Sequence, residues 1–67
     1  MIEMRILNER GHTTLSLTEE QVQDQIQDHP HHWVSVNGEI ISRKSIATVN
    51  WESVNSVDLI PEIVGGQ

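Results

Sequence analysis

The chain has no cysteine, no phenylalanine and no tyrosine, and its aromatic content is two tryptophans, Trp33 and Trp51. Without cysteine there is no disulfide framework, no thiolate metal site and no thiol nucleophile. Without phenylalanine and tyrosine the core must be built from Ile, Val and Leu, residues that favour strands when they cluster. No apolar run approaches the roughly 18 residues of a membrane-spanning helix, and the N-terminus has no signal-peptide apolar stretch. The expected setting is therefore cytoplasmic, with no membrane partner. Positive charge is scarce as well: four Lys and Arg stand against ten Asp and Glu, a formal net charge of −6. Such a surface repels phosphate backbones, which argues against nucleic acid and suits a basic groove on a partner protein.

What is present is strand periodicity around one helix. In "IEMRIL", Ile2, Met4 and Ile6 alternate with Glu3 and Arg5, the period-two pattern of a half-buried strand. Gly11 closes a turn, after which Thr13, Leu15 and Leu17 alternate with His12, Thr14 and Ser16, so a β-hairpin is predicted. At Thr18 the period changes. Thr18 and Gln21 form a capping-box pair, Glu19 and Glu20 favour the positive helix end, and Val22 and Ile26 make a narrow apolar stripe. Pro30 pushes its neighbour out of the helical region, which predicts a helix over 19–28.

Strand character returns in "WVSVNGEII", with Val34 and Val36 inward and Asn37-Gly38 as a hairpin turn. A short helical turn is expected near Ser42 to Ala47. The closing run "SVDLIPEIV" predicts a last strand with Val57, Leu59, Pro61 and Ile63 on one face. Pro61 has no N–H to give a ladder, so a strand end or an unbonded edge is expected there. An exposed last strand would offer an edge for pairing between copies, although Pro61 and the charged flanks oppose it. One helix laid across a mixed sheet of four or five strands is the economical packing, an α+β domain over residues 1–64 with 65–67 as a flexible tail. First and last strands that are central neighbours would run parallel.

Three segments carry a family likeness: "VNGEIISR" (Val36 to Arg43), "SVDLIPEIV" (Ser56 to Val64) and the adjoining Gly65-Gly66. They resemble the β-grasp sulfur carriers ThiS and MoaD and related prokaryotic modifiers of the ubiquitin-like superfamily, with Asp58, Leu59, Pro61, Val64, Gly65 and Gly66 at similar places. The resemblance implies a ubiquitin-like β-grasp fold. It also implies that the carboxylate of Gly66 is adenylated by a ThiF- or MoeB-like enzyme that consumes ATP, with no cofactor bound by the chain itself. The product would be a thiocarboxylate for a sulfur-accepting enzyme, or a conjugate at a target-protein lysine. A glycine carboxylate suits this chemistry because no side chain shields it, and two glycines thread a narrow cleft easily. Gln67 departs from the sulfur-carrier pattern, and implies either a processing peptidase, as for ubiquitin-like precursors, or a sequence cut from a longer chain. A Gly-Gly-Gln ending is also similar to that of the modifier Pup, which is attached through its last side chain, but strand periodicity is foreign to that largely disordered family.

The remaining candidates are partner contacts. Arg5, His12 and Thr14, with Ser16, lie on the polar side of the first hairpin, and Ile63 and Val64 lead into the tail. Trp33 and Trp51 suit either an interface anchor or a core plug. The histidines of "HPHHW", His29, His31 and His32, fall short of the converging ligand set that zinc requires. No serine or cysteine arrangement supports nucleophilic catalysis, so the chain is expected to be a substrate and carrier rather than an enzyme. A β-grasp interaction module that is never conjugated is the alternative.

Overall fold

The structure is a computed structural model, and it describes residues 1–62. The expected site residues Ile63, Val64, Gly65, Gly66 and Gln67, and with them the last two residues of the predicted domain, lie outside the described residues.

Among the described residues, five strands and one helix follow in the order β1 (Ile2–Asn8), β2 (Gly11–Leu17), α1 (Glu19–Asp28), β3 (His32–Val36), β4 (Glu39–Ile41) and β5 (Ser56–Pro61). Two short 3₁₀ turns, Arg43–Thr48 and Trp51–Ser53, carry the chain from β4 to β5. The strands form one mixed sheet in the order β2-β1-β5-β3-β4. β1 and β5 run parallel in its centre, with Met4 beside Val57 and Ile6 beside Leu59, and the other pairings are antiparallel. This is an α+β, β-grasp-like architecture.

Alternation along each strand sends one set of side chains towards α1. Ile2, Met4, Val34, Val57 and Leu59 meet Val22 and Ile26 of the helix, with Val54 completing the buried core. Trp51, Ile46 and Val49 pack partly buried around this core, so Trp51 takes the plug role. The capping box holds the start of α1. Thr18 Oγ1 accepts from the Gln21 amide at 3.2 Å, and the Gln21 side-chain oxygen accepts from the Thr18 amide at 3.0 Å.

One expectation changes. The last strand is not an edge: β5 is covered by β1 on one side and β3 on the other, and the edges are β2 and β4. Pro61 sits at the final position of β5 opposite His32, where a missing N–H ends the ladder rather than breaking it.

The β3–β4 turn also locks the sheet to the connection that precedes β5. Asn37 adopts φ +50° and Gly38 φ +86°, the positive values a two-residue hairpin turn demands. The Asn37 side chain then reaches across the fold. Its Oδ1 accepts from the Asn55 and Ser56 amides at 2.9 and 3.2 Å, and its Nδ2 donates to the Ser53 carbonyl at 3.0 Å.

Candidate protein-interaction site

The sheet face turned away from α1 is a surface of two characters. On the β2–β1 side it is polar, because β1 puts Glu3 and Arg5 there and β2 answers with Ser16, Thr14 and His12. The expected partner contacts Arg5, His12 and Thr14 are thus brought onto one face, with Arg5 directly opposite Thr14 and His12 opposite Leu7. Arg5 is already engaged, however. Its Nε and Nη2 donate to Asp58 Oδ1 and Oδ2, both at 2.9 Å, in a fork across the parallel β1–β5 pair. The hydrogen bond to Asp58, reinforced by its charge, raises the guanidinium further above its ordinary value. A partner therefore meets a paired charge here, not a free cation.

On the other side the face is apolar. Trp33 on β3 lies opposite Ile60 on β5, and continuing the β1–β5 register places Leu7 beside Ile60. Ile40 on β4 stands opposite Ser35, itself paired with Asp58. Trp33 and Ile40 are 53 % and 57 % exposed, large apolar side chains with no described helix above them. Ser35, hemmed in by these neighbours, is buried at 5 %. Sequence reasoning named Trp33 as a candidate anchor and missed the company it keeps. Leu7, Ile60 and Ile40 come from three separate strands, and only the sheet order aligns them with Trp33.

Beyond this face, Trp33, His31, His32, Ile41, Arg43 and Glu62 converge on an open cleft of ≈ 340 Å³ at the end of β5. Arg43 knits its wall together by donating to three backbone carbonyls, Ile26 and His32 at 2.8 and 2.9 Å and also His29. The His29 Nδ1–H donates to the Gln25 carbonyl at 2.7 Å, and the His29 and His32 rings meet edge to face with centroids 4.9 Å apart. Burial, then the neighbouring His29, Arg43 and His31, hold His32 below the ordinary imidazole value. Among the described residues no group of three or more His, Cys, Asp or Glu side chains could hold a metal ion. No described helix is long and apolar enough to cross a membrane.

The face can bury apolar surface against a partner, with the polar side chains of β1 and β2 beside it. Exposed aromatic side chains of this kind are the usual anchors of protein interfaces. No protein-family model matches the chain, and neither a curated protein nor a solved structure does so.

Proposed function

We propose that the chain is a ubiquitin-like carrier, similar to ThiS, MoaD and the prokaryotic modifiers, whose Gly66 is activated by a ThiF- or MoeB-like adenylating enzyme after a peptidase removes Gln67. The observation that supports it is the union of a β-grasp-like sheet order with a Gly-Gly pair four residues beyond its central strand β5. A rigid central strand is a firm base from which a partner can draw out the segment Ile63, Val64, Gly65 and Gly66.

In this reading the Gly66 carboxylate attacks the α-phosphorus of ATP and pyrophosphate leaves. The acyl-adenylate then loses AMP to sulfide, giving a thiocarboxylate, or to a target lysine amine, giving an isopeptide bond. The chain supplies no catalytic group and binds no cofactor; ATP belongs to the partner enzyme. Arg5, His12 and Thr14 form the polar part of the docking face, with Trp33 and Ile40 as its apolar part. Deleting Gly65 to Gln67 tests the proposal. It abolishes activation while leaving the unfolding midpoint nearly unchanged, because a terminal tail contributes few buried contacts. An undiminished function in the deleted chain contradicts it.

The exposure of Trp33 and Ile40 favours a second reading, a β-grasp interaction module that is never conjugated. In that case the tail deletion leaves partner binding intact, and Trp33→Ala removes it.

A further inference from the structure

We propose that His29, His32 and Arg43 form an acid-operated clasp, which on protonation releases the loop between α1 and β3 and alters how Trp33 is presented on the open sheet face. The inference concerns the chain's own conformation and holds whether or not Gly66 is activated.

The geometry concentrates cationic and cation-forming groups on a few carbonyls. Arg43 reaches back over 17, 14 and 11 residues to bind the carbonyls of Ile26, His29 and His32, so one guanidinium joins the last turn of α1, the loop and the first residue of β3. The His29 Nδ1–H is committed to the Gln25 carbonyl, which fixes that ring where it stands. The His29 ring meets the His32 ring within the same knot. A proton taken up by His32 therefore places a new positive charge beside a guanidinium that cannot move away without giving up its carbonyls.

The surrounding groups decide the direction. His31 adds a third imidazole, and with Arg43 and His29 it opposes charging of His32. On the negative side, Glu62 lines the same cleft and Asp28 closes the helix next to His29; both are exposed. Water and salt screen exposed carboxylates, whereas the half-buried Arg43 and His32 feel each other more strongly. Repulsion prevails. Trp33 follows His32 directly and lines the same cleft, so it registers the change.

The test uses the full chain with Trp51→Phe, which leaves Trp33 as the single indole, and follows its emission from pH 8 to pH 5. The expected result is a sigmoidal change centred below the ordinary histidine value of 6.5, with far-UV circular dichroism constant, that His32→Gln removes. As a second readout on the unmodified chain, protection of the His29 and His32 amides, bonded to the Ile26 and His29 carbonyls, falls by about tenfold over the same range while that of β1 and β5 holds. A flat emission curve with unchanged protection overturns the proposal. So does the same transition persisting in His32→Gln.

Discussion

Replacing Asn37 separates two contributions that one residue makes at once. Asn37→Ala deletes three side-chain hydrogen bonds, to Ser53, Asn55 and Ser56, and forces an alanine into φ +50°. Asn37 is exposed, so each bond belongs at the low end of the usual range, about 0.5 kcal/mol. A left-handed backbone costs a residue bearing Cβ about 1 kcal/mol more than it costs asparagine or glycine. Together these predict a loss of about 2.5 kcal/mol. A domain of this length holds roughly 3–10 kcal/mol in all, so the loss is a large part of its stability. Asn37→Gly removes the same bonds but accepts the positive φ, and should recover about 1 kcal/mol of the deficit. Urea unfolding followed by circular dichroism reads both variants. With a slope of about 1 kcal/mol per molar, the alanine midpoint drops by about 2.5 M and the glycine midpoint by about 1.5 M. If both variants unfold within about 0.5 M of the parent, neither the cross-links nor the turn conformation holds the sheet to β5, and the reasoning fails.

Other outcomes follow from the same structure. Leu59→Ala opens a cavity beneath α1 at a fully buried position of the central strand; a cost of about 2–5 kcal/mol should leave a substantial unfolded fraction at 25 °C, seen as lost amide dispersion. His32 makes stability depend on pH in a definite sense. Because its folded-state value is depressed below 6.5, the stability it contributes is complete above pH 6.5 and is lost as pH falls through the folded-state value. The parent should therefore lose more stability on acidification than His32→Gln, measured by urea midpoints at pH 7.5 and 5.5. Trp33→Ala combined with Ile40→Ser removes exposed apolar surface. It should change folding stability by no more than about 1 kcal/mol, yet under the proposed function weaken capture by a ThiF- or MoeB-like adenylating enzyme at least about tenfold by calorimetry.

Local chemistry made much of the fold legible. The helix 19–28 was bounded by Thr18 at one end and Pro30 at the other, and the Asn37-Gly38 turn announced its hairpin, because these signals act within a few residues. That the first and last strands would run parallel was legible only on the condition that they are neighbours, and the sheet order supplies that condition. What escaped depends on long-range placement. Arg43 reads as one charge in a polar stretch, and nothing within a helical or strand period links it to carbonyls 11 to 17 residues earlier. Likewise Leu7, Ile60 and Ile40 each fall on the outward side of their own strands, where a lone apolar residue carries no message. The order β2-β1-β5-β3-β4 turns them into a patch. Arg5 was legible as a surface cation, but its engagement with Asp58 needed the parallel β1–β5 register, 53 residues apart in sequence. The helical turn expected near Ser42 to Ala47 takes the tighter 3₁₀ form over Arg43–Thr48, capped by the Ser42 hydroxyl. The candidate tail was legible only as composition and family likeness.

The central claim is that Gly66 becomes an activated acyl group, and intact mass of the chain purified from its own cells tests it most directly. The chain is weighed before and after incubation with a ThiF- or MoeB-like enzyme and ATP. The account predicts loss of Gln67, then one of three products at Gly66: an adenylate, an adduct on a target lysine, or a thiocarboxylate heavier by about 16 Da through replacement of oxygen by sulfur. A chain that keeps Gln67 and gains no mass under any of these conditions contradicts it, and leaves the sheet face bearing Trp33 and Ile40 as the seat of function.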